Sequence, residues 1–147
     1  MEESMRPFNI LLVEDNAGDI RLVKEGLKEG KLYHNLHVVE DGEKAMEFLR
    51  QEAEFSGAPR PDIVLLDLNL PRKDGREVLA EIKNDMKLKN IPIIVLTTSD
   101  AEQDITKTYE HHANCYVTKP VDFEQFNRVI TAIEKFWFTI AKLPGAR

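Results

Sequence analysis

The chain predicts an open α/β fold, a parallel sheet with helices on both faces. Two observations predict it. Short β-branched runs alternate with helical patterns five times over, an order that parallel sheets with right-handed crossovers produce. Three of those runs are almost continuously apolar, as in strands buried on both faces. At 147 residues a single domain is expected. A chain of this length buries about two-thirds of its unfolded surface and needs no disulfide or metal staple.

The elements follow in order. Residues 8–13 form the first strand and end at Glu14 and Asp15. Ile20, Val23 and Leu27 share one face of a helix that starts near Asn16 or Asp19, both good capping residues. Residues 35–39 form the second strand and run into Glu40-Asp41-Gly42; Ala45, Leu49 and Ala53 mark the next helical face. The segment 54–62, with Gly57, Pro59 and Pro61, reads as a longer loop. The third strand, 63–66, stops at Asp67 and is followed by a helix with Val78, Leu79 and Ile82 inward. The fourth, 92–96, ends at Thr97-Thr98; the helix after it carries a weaker stripe of Ala101, Ile105 and Tyr109. The fifth, 114–118, ends at Lys119-Pro120. The last helix, about 122–142, has Asp122 as its cap and steps through Phe123, Phe126, Ile130, Ile133, Trp137 and Ile140. No internal repeat or linker interrupts this order, so one domain over 1–147 with a core at about 8–142 and no output domain is expected.

Composition narrows the function classes. Twenty basic against 26 acidic residues leave a net charge of −6, and no run of lysines or arginines offers a nucleic-acid footprint. The single cysteine, Cys115, excludes an intrachain disulfide and a Cys-rich zinc site, and reads as a small buried strand residue. No apolar stretch reaches the roughly 18 residues of a membrane span, and the N-terminus lacks the apolar core of a signal peptide. A soluble cytoplasmic protein without membrane contact is expected. Glycine-rich phosphate loops are absent, so nucleotide binding has no support, and the four histidines have no metal-ligand spacing.

The chemistry collects at strand ends. Glu14, Asp15, Asp67, Asn69, Thr97 and Lys119 each follow an apolar run, and ligands of open α/β sheets bind outside the carboxyl ends of the strands. A lone aspartate there is usually a turn former or helix cap; the joint phasing of these residues is what points to a site. Three carboxylates cannot crowd together ionised: either one is protonated or a cation joins them. An all-oxygen donor set of Glu14, Asp15, Asp67 and the Asn69 backbone carbonyl suits Mg²⁺ or Mn²⁺ rather than zinc or copper. Lys119 then serves as a point charge for a phosphoryl oxygen or for Asp67, and Thr97 as a hydroxyl donor. The set suits phosphoryl transfer to a carboxylate.

Val13-Glu14-Asp15-Asn16, Leu65-Leu66-Asp67-Leu68-Asn69-Leu70-Pro71 with Asp74-Gly75, Val95-Leu96-Thr97-Thr98, and Tyr116-Val117-Thr118-Lys119-Pro120 together resemble the receiver domain of two-component response regulators, over about residues 8–140. More narrowly, the chain is similar to the small single-domain regulators associated with bacterial, especially cyanobacterial, phytochromes. The resemblance implies a flavodoxin-like (βα)₅ fold with strand order 2-1-3-4-5. It implies that Asp67 accepts a phosphoryl group from a phosphohistidine of a sensor histidine kinase, with Mg²⁺ held by Glu14, Asp15, Asp67 and the Asn69 carbonyl. It further implies that Lys119 and Thr97 contact the phosphoryl group and that Tyr116 changes rotamer with Thr97. Asn69 and Ser99 lie where the family tunes dephosphorylation, and the Lys119–Pro120 bond is a candidate for the cis isomer. Thr98 stands where a smaller residue is usual, which narrows access to Asp67.

The end of the last helix carries Phe136, Trp137 and Phe138, and three consecutive aromatics cannot all face one core at 100° per residue. Either the helix end tucks under the first strand, or it forms a homodimer or kinase-docking patch. A phosphorylatable switch, which catalyses only its own phosphorylation and dephosphorylation, is the leading reading. A Mg²⁺-dependent aspartyl-phosphate phosphohydrolase normally places a second aspartate where this chain has Asn69, and a scaffold that is never phosphorylated does not explain the complete set of site residues.

Overall fold

Alternate residues of the three central strands feed two separate cores. Leu11, Val13, Val64, Leu66, Ile93 and Val95 face one way, and Ile10, Leu12, Ile63, Leu65, Ile94 and Leu96 face the other; all twelve are buried. This two-sided burial is the physical content of the apolar runs. A computed structural model describes residues 7–30, 33–98, 101–120 and 122–136. Its elements are β1 (Phe8–Val13), α1 (Ala17–Glu29), β2 (His34–Val39), α2 (Gly42–Arg50), a 3₁₀ turn (Ala53–Phe55), β3 (Ile63–Leu66), α3 (Gly75–Lys83), β4 (Ile93–Thr97), α4 (Glu102–Glu110), β5 (Cys115–Thr118) and α5 (Phe123–Lys135). The five strands are parallel in the order β2-β1-β3-β4-β5, as expected for a flavodoxin-like (βα)₅ fold.

Helices α1 and α5 close one core through Val23, Leu27, Phe126, Ile130 and Ile133. Helices α2 and α3 close the other through Ala45, Phe48, Leu49, Val78, Leu79 and Ile82. The capping residues act as the sequence suggests: Asn16 Oδ1 accepts from the Asp19 N–H at 2.9 Å, and Asp122 Oδ1 from the Glu124 N–H at 2.8 Å. Both fill acceptor roles for N–H groups that the first helical turn cannot satisfy itself.

Several expectations are corrected. Helix α2 ends at Arg50, because Gln51 adopts a left-handed φ of 57°. Ala53 (φ 52°) lies exposed in the following turn, and so does not share a helical face with Ala45 and Leu49. Phe123 is 59 % exposed. It occupies the first turn of α5, where the helix leaves the β5–α5 loop, and the inward stripe begins one turn later at Phe126. In α4 the buried position is Thr108, whereas Tyr109 is exposed. No peptide bond among the described residues is cis, so Lys119–Pro120 has the ordinary trans geometry. Cys115 is half-buried. Trp137, Phe138, Ile140 and Ser99 lie outside the described residues. Among the described residues no helix is long and apolar enough to cross a membrane.

Candidate functional site

Each strand-end residue arrives where its strand stops. Glu14 follows β1, Asp67 follows β3, Thr97 closes β4 and Lys119 follows β5. Because β1, β3, β4 and β5 are neighbours in one parallel sheet, all four project at the same edge. Glu14, Asp67 and Lys119 are 2 %, 6 % and 6 % exposed, Thr97 is fully buried, and Asp15 and Asn69 reach solvent.

Lys119 organises the pocket. Its Nζ donates to Glu14 Oε1 at 2.5 Å, Asp19 Oδ2 at 2.8 Å and Asp67 Oδ2 at 3.3 Å. An ammonium has three protons, so this set fills its donor capacity. Burial alone would pull the Lys119 ammonium down; hydrogen bonds to Asp19 and Glu14, with the charge of Asp67, outweigh it and hold the group above the usual lysine value. Burial pushes the Glu14 carboxyl up to about 7, and the neighbouring Asp67 charge adds to the push while Lys119 opposes it. Backbone N–H groups serve the remaining oxygens: Asn16 donates to Glu14 Oε2 at 3.2 Å and Asn69 to Asp67 Oδ1 at 3.3 Å.

The donor set fits a hard divalent cation. Glu14, Asp15 and Asp67 each offer a carboxylate oxygen, all within 4.8 Å of one another, the one such acidic cluster among the described residues. One buried ammonium serves two buried carboxylates and an exposed third stands beside them, an arrangement a dication would neutralise.

The Asn69 side-chain amide lies 3.5 Å from Thr97 Oγ1, linking the β3–α3 loop to the end of β4. Thr98 is exposed and lines a cleft of about 290 Å³ with Asn16, Asp19 and Lys119. Tyr116 is half-buried against the α2–α3 core, and its N–H donates to the Tyr109 hydroxyl at 3.1 Å, tying β5 to α4. Phe136 is 51 % exposed at the end of α5.

Residues 10–131 match the response regulator receiver domain family. The chain belongs to that family. This receiver is 50 % identical to the response regulator Rcp1 of Synechocystis sp. over 99 % of both chains. Among solved structures it is similar to the phosphorylated cyanobacterial phytochrome response regulator RcpA, with 51 % identity and a TM-score of 0.93 over 95 % of this chain and all of that one. It is also similar to the Mn²⁺-bound form of Rcp1, with 50 % identity and a TM-score of 0.92 over the same shares. The receiver is therefore a two-component signalling protein whose partners include a sensor kinase, and its acidic pocket is of the kind that holds a divalent metal in this family.

Sequence reasoning missed two residue sets around this pocket. The sequence offers Asp19 as a helix start, yet its side chain meets Lys119, 100 residues away. Arg76 Nε and Nη2 donate to the two oxygens of Asp104 at 2.8 and 2.7 Å, joining α3 to α4. Neither has a periodicity or spacing signal; only the strand order brings such distant positions together.

Proposed function

We propose that Asp67 is the phosphoacceptor of this receiver and that a phytochrome-type sensor kinase is the donor. The observation that carries the reading is the seat of Asp67: a buried carboxylate at a strand end, with Lys119 on one side and Glu14 and Asp15 on the other. An Asp67 carboxylate oxygen attacks phosphorus, the P–N bond to the donor imidazole breaks, and the electron pair returns to the imidazole nitrogen. Glu14, Asp15, Asp67 and the Asn69 carbonyl would hold Mg²⁺ or Mn²⁺. A dication there supplies neutralisation of charge on the transferring group. Lys119 is placed to take a phosphoryl oxygen with one of its protons.

The output reading rests on Thr97. Its hydroxyl lies beside the Asn69 amide and would turn toward a phosphoryl oxygen on Asp67 once that oxygen offers a stronger acceptor. The turn vacates space toward Tyr116, whose rotamer reshapes the α4–β5–α5 surface. Asn69 and Ser99 set the lifetime of the acyl phosphate. Phe136, exposed at the end of α5, belongs to a homodimer or kinase-docking surface. The receiver acts in the cytoplasm through such protein contacts; its net charge of −6 disfavours nucleic acid as a direct target.

Acetyl phosphate with Mg²⁺ tests the reading. Wild type is expected to take up one phosphoryl group that is labile to alkali and hydroxylamine and decays slowly, and Asp67→Asn none. Labelling retained by Asp67→Asn would refute the assignment. Rapid multiple turnover of small phosphoesters would mark a hydrolase instead, and no labelling of wild type a scaffold.

A further inference from the structure

We infer that Asp19 is a positioning residue for phosphorylation: it holds the Lys119 ammonium over Asp67 when the other carboxylates of the pocket are otherwise engaged. The inference rests on the assignment of Asp67 as phosphoacceptor.

Lys119 Nζ spends its three protons on Glu14, Asp19 and Asp67. Two of those acceptors have other duties. Glu14 and Asp67 belong to the acidic cluster with Asp15, and Asp67 is also the group to be modified. Asp19 lies outside that cluster. It is the one acceptor on Lys119 that neither a cation nor a phosphoryl group claims.

Its position is built rather than incidental. Asp19 sits in the first turn of α1, and its N–H is fixed by the Asn16 side chain at 2.9 Å. Its carboxylate reaches into the cleft at the mouth of the pocket, which Lys119 and Thr98 also line. The 2.8 Å contact with Lys119 is shorter than the 3.3 Å contact with Asp67, so Asp19 is the firmer of these two partners. A lysine stem has four rotatable bonds, and one fixed anionic partner removes much of that freedom. Without Asp19, an ammonium released by Glu14 has no second partner to keep it facing Asp67.

The test is a double-mutant cycle on phosphorylation by acetyl phosphate at saturating Mg²⁺, with Mn²⁺ affinity measured separately on each protein. Asp19→Ala is expected to slow phosphorylation roughly three- to tenfold, the weight of one charge-assisted hydrogen bond. Asp19→Asn keeps an acceptor without the charge and should fall between the two. In a Lys119→Met background, Asp19→Ala should have no further effect, because Asp19 acts only through Lys119. Mn²⁺ affinity should move far less than the phosphorylation rate. Equal slowing in both backgrounds, or no slowing in wild-type background, overturns the inference while leaving Asp67 as acceptor. A wild type that is never labelled overturns the phosphoacceptor assignment and this inference together. Thermal melts of each variant show whether a lost rate is lost folding, and the isosteric Asp19→Asn decides if Asp19→Ala does not fold.

Discussion

Single atoms set two of the constraints around the pocket. A Cβ built on Gly75 would sit 2.2 Å from the Asp67 carbonyl oxygen and 2.6 Å from the Leu68 Cα, so α3 starts in contact with the backbone of Asp67 itself. The Gly75 N–H donates to the Leu68 carbonyl at 2.9 Å and locks this approach. Gly75→Ala is therefore expected to cost roughly 1–3 kcal/mol in urea denaturation, the usual penalty of overpacking, and to slow phosphorylation by displacing Asp67. Gly57, with open space around its Cβ position, provides the control: Gly57→Ala should leave both unchanged. Glu134 is the second case. It is buried, its Oε2 has no hydrogen-bond partner among the described residues, and burial holds its carboxyl above the usual range despite the opposing charge of His34. A carboxyl raised on folding binds its proton more tightly in the native state. The stability it lends is complete below its unfolded value and is lost as pH rises through its folded one. Glu134→Gln should therefore gain stability relative to wild type as pH climbs from about 4 to about 8, read by denaturant midpoints at each pH. A constant offset across that range would contradict the account.

At the scale of elements, polar side chains pin what the strand pairing leaves loose. Lys83, at the end of α3, donates to the Lys89 and Ile91 carbonyls at 3.0 and 2.9 Å and to Asn114 Oδ1 at 3.3 Å. Asn114 Oδ1 also accepts from the Ile93 N–H at 2.8 Å, so one cluster secures α3, the start of β4 and the approach to β5. Lys83→Met should lower stability by about 1–3 kcal/mol, because it strips a partner from the part-buried Ile91 carbonyl and from the exposed Lys89 carbonyl while keeping the stem's apolar bulk. An unfolding free energy within about 0.5 kcal/mol of wild type would count against this role. At the opposite edge of the sheet, the two-pronged Arg76–Asp104 pair ties α3 to α4, and Arg76 Nη1 also donates to Asp74 at the α3 cap. The Tyr109 hydroxyl then ties α4 to β5. Helix α4 contributes only Thr108 to the buried set, so these polar ties and not an apolar face fix its seat. That explains why its stripe of Ala101, Ile105 and Tyr109 was the faintest in the sequence, and why the helix suits a moving surface: local stability follows buried apolar contact, and α4 has little.

Across the whole molecule, legibility tracked the physics that made each part. Strands β1, β3 and β4 were readable to within one residue because burial on both faces demands an unbroken apolar run, and Glu14, Asp67, Thr97 and Lys119 were readable because such runs end abruptly at the sheet edge. The outward turn of Phe123 was not readable, since helical spacing says which residues share a face but not where the sheet beneath them stops. Asp19 and Asp104 were unreadable for a different reason: their partners lie 100 and 28 residues away, and an ion pair leaves no period in the sequence. What the assembled edge adds is charge. The ends of β1, β3 and β5 converge so that Glu14, Asp19 and Asp67 surround a single ammonium, with Asp15 beside Glu14 and Asp67, a net negative site kept by the folding of everything else. Divalent cations should then stabilise the native state through that site, since the unfolded chain disperses its carboxylates. At a hundredfold excess over the dissociation constant the gain is about 2.7 kcal/mol, a rise of roughly 5–10 °C in Tm for a chain of this length. Asp15→Asn removes one oxygen anion from the cluster without opening a cavity, because Asp15 is exposed. The variant should show a much smaller Mg²⁺ shift, yet its metal-free Tm should equal or exceed that of wild type because it relieves repulsion. A matching rise with NaCl at equal ionic strength would mean screening rather than a bound ion, and an Asp15→Asn shift as large as that of wild type would remove Asp15 from the site.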